Sequence, residues 1–113
     1  MAWWGATGPD LLVPVTVVPE VTYLLETRLG PRAAEAFVRS LADGELPVEG
    51  VGAEDVRRAA DLMVAYRDLP LGFVDASVIA IAERLGIREV LTTDRRHFGV
   101  VRPRHVEALR LAP

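Results

Sequence analysis

Hydrophobic positions along this chain switch between short continuous runs and a repeat of three and four. Leu11 to Val15 is a brief apolar run of strand-like character. From Thr16 the spacing changes. Val18, Val21 and Leu25, with Val17 and Leu24, recur at helical intervals, which predicts a helix capped by Thr16. Pro19 sits in its first turn, where a missing N–H costs nothing. Gly30-Pro31 ends that helix and opens another, whose apolar positions are Ala34, Phe37, Val38 and Leu41; Gly44 closes it. Leu46 to Val51 reads as a weaker strand, interrupted by Pro47 and Gly50, which places it toward a sheet edge. A third helix carries Val56, Ala59, Ala60, Met63 and Tyr66 on one face, with Glu54 and Asp55 suited to its positive N-terminus. After the loop Leu69-Pro70-Leu71-Gly72, residues 74 to 85 form a fourth helix that is apolar almost all round, hence buried, and Gly86 stops it. Glu89 to Thr93 is a strand, and Val106 to Leu109 is read as another. At the start, residues 3 to 7 read as the end of a helix closed by the turn Gly8-Pro9-Asp10.

Strands alternating with helices in this order predict an α/β fold with a central parallel sheet. At 113 residues, half of them hydrophobic, the chain has the size of one domain with one core. No repeat, linker or low-complexity tract interrupts it. The absence of cysteine excludes disulfides and thiolate metal sites. All 13 basic residues are arginine. A Walker P-loop and a phospho-receiver mechanism both need a lysine, so both are excluded. Met1-Ala2-Trp3-Trp4-Gly5 has neither the basic lead nor the apolar stretch of a secretory signal, and no segment approaches the ~20 apolar residues of a membrane span. A cytoplasmic protein is the expectation.

Three carboxylates take special places in this layout. Glu20 lies in the first turns of the helix after the Leu11–Val15 strand, Asp75 opens the buried fourth helix, and Asp94 directly follows the Glu89–Thr93 strand. In a parallel α/β sheet, strand carboxyl ends and the N-termini of the following helices share the edge where ligands bind. Clustered carboxylates repel unless a cation lies between them, and hard oxygen donors suit Mg²⁺ or Mn²⁺, which activate water at a phosphoryl group. The alternative is structural: acids favour helix starts and turns whatever the function. Spacing alone leaves both open.

The net charge of −3 excludes a uniformly basic surface, but not a local strip. From residue 95 onward Arg95, Arg96, Arg102, Arg104 and Arg110 face only Glu107, and His97 and His105 add charge at lower pH. Such a strip beside an acidic cluster suits a phosphodiester backbone; the other reading is solubilising surface charge. No carboxylate–histidine spacing supports a zinc site. Trp3 and Trp4 read as packing residues rather than base-stacking ones, and Phe37 and Tyr66 as core.

Three segments then carry a resemblance. Val17-Val18-Pro19-Glu20-Val21 followed by Leu24-Leu25, Leu69 through Ser77 around Asp75, and Leu91-Thr92-Thr93-Asp94-Arg95-Arg96-His97-Phe98 resemble, in order and spacing, the second, third and fourth acidic segments of PIN-domain nucleases of the VapC toxin type. Together with the connecting helices they cover nearly everything from Leu11 onward. The resemblance implies a three-layer α/β/α PIN-like domain over residues 1–113, a Mg²⁺ or Mn²⁺ site at Glu20, Asp75 and Asp94, endoribonuclease activity, a VapB-type antitoxin partner and homodimerisation. Arg95 and Arg96, adjoining the cluster, are the expected RNA-binding residues. Family members open with a strand ending in an aspartate and then a helix. Here only ten residues stand in that place, read as the remnant of that helix and its turn. Asp10 precedes a strand rather than ending one, so it does not take the first-aspartate role. In the family that first strand lies mid-sheet, between the strands matched here by Leu11–Val15 and Glu89–Thr93. Without it the chain is expected to rearrange to close the gap or to join another copy across it. The competing reading is a catalytically impaired PIN-like module that acts through binding of antitoxin or of itself.

Overall fold

The computed structural model describes residues 5–7, 10–69, 71–91, 101–105 and 110–112. Its strands are β1 (Gly5–Thr7), β2 (Asp10–Pro14), β3 (Val48–Glu49), β4 (Glu89–Leu91) and β5 (Arg110–Ala112). They form one sheet in the order β3-β2-β1-β4-β5. The β2–β3 and β4–β5 pairs are parallel, while β1 runs antiparallel to both of its neighbours. Four strands therefore share one direction and the central one opposes them. The expected α/β sheet of like-directed strands is present, and β1 alone runs against them. The reading of residues 3 to 7 is corrected: Gly5–Thr7 is a strand, not a helix end. Backbone N–H and C=O groups of two neighbouring strands would otherwise go unpaired in mid-sheet, and extended Gly5–Thr7 supplies them with partners. The chain thus closes its own gap, pairing Gly5 with Leu12 on one side and Val90 on the other.

Among the described residues four helices accompany the sheet: α1 (Val18–Leu29), α2 (Pro31–Ala42), α3 (Ala53–Ala65) and α4 (Phe73–Leu85). None of the described helices is long and apolar enough to cross a membrane. A single 3-10 turn, Val15–Val17, joins β2 to α1. Both α1 and α2 carry proline in the first turn. Gly30, between them, adopts φ +99°, which L side chains resist, and its N–H closes α1 on the carbonyls of Glu26 and Leu25. Gly86 ends α4 in the left-handed conformation. Edge strand β3 is only two residues long, as Pro47 and Gly50 on either side predict.

One core takes residues from every layer: Val13 of β2, Val21 of α1, Phe37 of α2, Ala59 and Leu62 of α3, and Ala76, Val78, Ile79 and Ala82 of α4. Helix α4 is buried continuously from Ala76 to Ala82, as its unbroken apolar composition requires. Two helix faces differ from their expected settings. On α2, Val38 is exposed. On α3 the buried positions are Asp55, Ala59 and Leu62, with Tyr66 half-buried beyond them, while Val56 and Met63 face solvent. The stripe is one residue earlier than hydrophobicity suggests, because it begins on a charged residue.

That residue, Asp55, is 4% exposed. Its Oδ2 accepts the N–H of Gly52 at 3.0 Å, and its Oδ1 accepts Nε of Arg84, on α4, at 2.9 Å. Arg84 also donates to Glu49 at 2.9 Å and to the Gly50 carbonyl at 3.2 Å, which fastens α3, α4 and β3 to one guanidinium. Burial alone pushes the Asp55 carboxyl up; the Arg84 and Gly52 hydrogen bonds outweigh it and hold the carboxyl below its ordinary value. A second clamp joins the same helices. Arg58 of α3 donates Nε and Nη2 to the two carboxylate oxygens of Glu83 of α4, at 2.8 and 3.0 Å.

Candidate functional site

The sheet topology sets one edge apart. Strands β2 and β4 run parallel, so their carboxyl ends emerge together, and the β2 end leads through Val15–Val17 into α1. Glu20 is the third residue of α1, half-buried, with its Oε2 shut off from solvent. Asp75 is the third residue of α4 and also half-buried. Both carboxylates therefore stand in the first turn of a helix, where unpaired N–H groups and the helix dipole favour negative charge.

A hydrogen bond between side chains 61 residues apart ties the two helix starts together. Thr16, in the turn just before α1, lies 2.7 Å from the hydroxyl of Ser77, two residues past Asp75. Ser77 Oγ donates its one proton to the Val74 carbonyl at 2.6 Å. Thr16 must then be the donor in the pair. Sequence reasoning assigned Thr16 to capping α1. The structure instead gives that helix no side-chain cap and turns the Thr16 hydroxyl toward α4. Neither Thr16 nor Ser77 was singled out as a site residue. The available signal was a serine inside the apolar run from Ala76 to Ala82 of α4.

Asp10 stands apart from this edge. It is the first residue of β2, paired with Thr7, at the opposite end of the strand from Pro14. At ~3.3 Å per residue that puts it roughly 13 Å from Pro14. Asp94, Arg95, Arg96 and His97 lie outside the described residues, as do Trp3, Trp4 and the expected strand from 106 to 109. Among the described residues, no group of three or more acidic or histidine side chains is placed to hold a metal ion.

Asp55 offers a structural counterpart to Glu20 and Asp75. It likewise occupies the third position of its helix, and its partners are wholly structural: its own helix start and Arg84. An acid at this position is thus not a site by itself. What distinguishes Glu20 and Asp75 is that their two helix starts are joined at the carboxyl edge of the sheet.

A separate cleft of 630 Å³ lies between α3 and α4, lined by Arg58, Asp61, Glu83, Arg84, Arg104 and His105 among others. Its charges are largely engaged in holding the fold. Glu83 receives Arg58 and the Arg104 backbone N–H at 2.8 Å, and Arg84 is bound to Asp55 and Glu49. His105 donates Nε2–H to the Ile87 carbonyl at 2.6 Å, the only sense possible toward a carbonyl, and its other nitrogen, Nδ1, is shut off from solvent. Tyr66, half-buried against the core, accepts the Arg102 backbone N–H at 2.9 Å.

Comparison with known proteins defines the class. The PIN-domain family model matches residues 1–102, and the chain belongs to that family. Within it the resemblance is to VapC proteins. The chain is 40% identical over 117 residues to Ribonuclease VapC26 of Mycobacterium tuberculosis (strain ATCC 25618 / H37Rv), covering 91% of this chain and 87% of that protein. Among solved structures it resembles VapC20 of M. tuberculosis, a sarcin–ricin-loop-cleaving toxin, with 29% identity and a TM-score of 0.64. That match covers 74% of this chain and 64% of VapC20, less than two thirds of its length. The DNA-bound VapBC of Salmonella typhimurium, at 20% identity, shares the fold with a TM-score of 0.61 over 88% of this chain and 72% of its own. The α/β architecture is PIN-like, with the central strand reversed.

Proposed function

We propose that this chain is the ribonuclease toxin of a toxin–antitoxin pair and that it cuts RNA internally with the help of Mg²⁺ or Mn²⁺. The observation that carries the reading is the joining of two acidic helix starts, at Glu20 and Asp75, in a chain 40% identical to a ribonuclease. The donors suit a hard divalent cation: they are carboxylate oxygens, no cysteine exists to compete, and one Glu20 oxygen is already withdrawn from water. Glu20, Asp75 and Asp94 are the residues that would hold the ion. Bound there, it supplies Lewis acidity to the scissile phosphate and lowers the pKa of an attacking water. Arg95 and Arg96, adjoining Asp94 in the sequence, hold the RNA backbone. The remaining partners in this reading are a VapB-type antitoxin and a second copy of the chain, in the cytoplasm, with residues 1–113 acting as one PIN-like domain.

The direct test is incubation of the purified chain with RNA in Mn²⁺, in Mg²⁺ and in excess EDTA. Internal cleavage that appears with either metal and disappears with chelator is expected. Cleavage that survives chelation would remove the metal from the mechanism. The reversed central strand favours a second reading, a PIN-like module that acts by binding antitoxin or itself. The carboxyl end of β1 points away from the edge that carries Glu20 and Asp75, and the same assay returning no cleavage with either metal would select that reading.

Replacing Arg95 and Arg96 with alanine is expected to weaken RNA binding and to flatten its dependence on log salt by about one unit for each phosphate left without its arginine. Arg57→Ala is the control, because Arg57 is exposed and pairs with Glu54 within its own helix. Equal effects from both replacements would leave only generic attraction. Arg58 is unsuitable as a control, since its loss would open the clamp on Glu83.

A further inference from the structure

We propose that Thr16 and Ser77 are positioning residues for the cation site, setting the start of α1 against the start of α4 so that Glu20 and Asp75 meet one ion. The inference rests on the metal-dependent reading above. Ser77 is fully buried and sits among Ala76, Val78 and Ile79, where packing alone would be served by alanine. Serine in a helix interior also competes with the backbone, and here it does so through its bond to Val74. A hydroxyl in that place has a local cost, and the partner it gains is Thr16, far away in sequence and at the exit of β2. The chain of donors runs one way: Thr16 hydroxyl to Ser77 hydroxyl to Val74 carbonyl. Val74 immediately precedes Asp75, so the network ends on the peptide unit that carries the proposed ligand. At its other end, Thr16 lies four residues before Glu20. Divalent ions such as Mg²⁺ demand near-ideal geometry, so a small shift of one helix start against the other separates the ligands more than it disturbs the core.

Thr16→Val preserves shape and removes the donor; Ser77→Ala removes the acceptor; Thr16→Ser keeps the hydroxyl. Mn²⁺ titrations of the whole chain, followed by electron paramagnetic resonance, are read beside melting temperature and RNA cleavage. Thr16→Val and Ser77→Ala are each expected to weaken Mn²⁺ binding by about tenfold, the lower end for outer-shell partners. The double variant should bind no more weakly than the worse single one, and Thr16→Ser should restore most of the affinity. A lower melting temperature with unchanged Mn²⁺ affinity in Thr16→Val, or fully additive losses in the double variant, would overturn the proposal. Should Ser77→Ala not fold, the partly exposed Thr16 pair of variants still decides it. Failure of the unaltered chain to bind Mn²⁺ would instead defeat the metal-site reading itself, and this inference with it.

Discussion

Asp75→Asn is expected to reduce metal-dependent RNA cleavage on the order of 100-fold or more while leaving the fold as stable as before or slightly more so. Asparagine has nearly the shape of aspartate, so α4 and its packing are kept. The change removes one of the negative charges proposed to converge at the sheet edge. Without bound cation their mutual repulsion falls, which favours the folded state. Against this stands the loss of an acid from a helix first turn, a cost of about 0.3–1 kcal/mol. Cation binding depends on that charge directly, so Mn²⁺ affinity should fall with activity. Calorimetric Mn²⁺ titration and a thermal melt of the metal-free protein separate the cases. Unchanged Mn²⁺ affinity with a clear loss of stability would make Asp75 a structural acid of the kind Asp55 already represents.

Glu83→Ala is expected to cost about 2–3 kcal/mol, which lowers the melting temperature by roughly 10 °C. The Glu83 side chain is 8% exposed and that of Arg58 19%, and the two meet through a bidentate pair. Truncation leaves the Arg58 guanidinium in a poorly hydrated place without its carboxylate, and it also frees the Arg104 N–H. Some solvent access at Arg58 keeps the figure below that of a fully buried pair. The same group predicts an acid response. Burial pushes the Glu83 carboxyl up, but the Arg58 hydrogen bonds, the Arg104 N–H and the nearby positive charges hold it below its ordinary value of 4.5. A carboxyl depressed in the folded state adds stability above that ordinary value. It loses this contribution as the pH falls through the lower folded value, when the folded protein must take up a proton. Asp55 acts in the same sense. Urea melts at pH 7 and at progressively lower pH should therefore show the stability gap between the unaltered chain and Glu83→Gln narrowing only below about pH 4.5. A gap unchanged down to pH 3 would mean that the clamp does not favour the ionised form of Glu83 over that in the unfolded chain.

These two clamps also explain which parts of the fold hydrophobic pattern could reveal. The four helices, the strand at Leu11–Val15 and the edge position of β3 follow from local rules: period, proline, glycine and chain reversal. Helix α4 was legible because a segment apolar on every side has nowhere to go but the interior. Glu20 and Asp75 were legible as first-turn acids for the same local reason. The setting of α3 was not. A buried Asp55 reads as surface until the arginine that neutralises it is known, and Arg84 lies 29 residues away on another helix. Once Arg84 is in place, the buried stripe begins at Asp55 and Val56 turns outward.

The sequence by itself determined the helices, the α/β class and the helix-start positions of two acids, since each depends on residues within a turn or two of one another. Three features were decided only by tertiary structure. Gly5–Thr7 becomes the reversed central strand because β2 and β4 leave backbone groups to be paired, a demand that no property of Gly-Ala-Thr announces. The Thr16–Ser77 bond forms because folding sets the exit of β2 beside the start of α4. The ionic clamps of α3 and α4 form because burial makes unpaired charge costly, so Asp55 and Glu83 each end on an arginine of the facing helix. Val90, Ser77 and the two arginines each lie far off in sequence from the groups they meet, and only the folded chain supplies them.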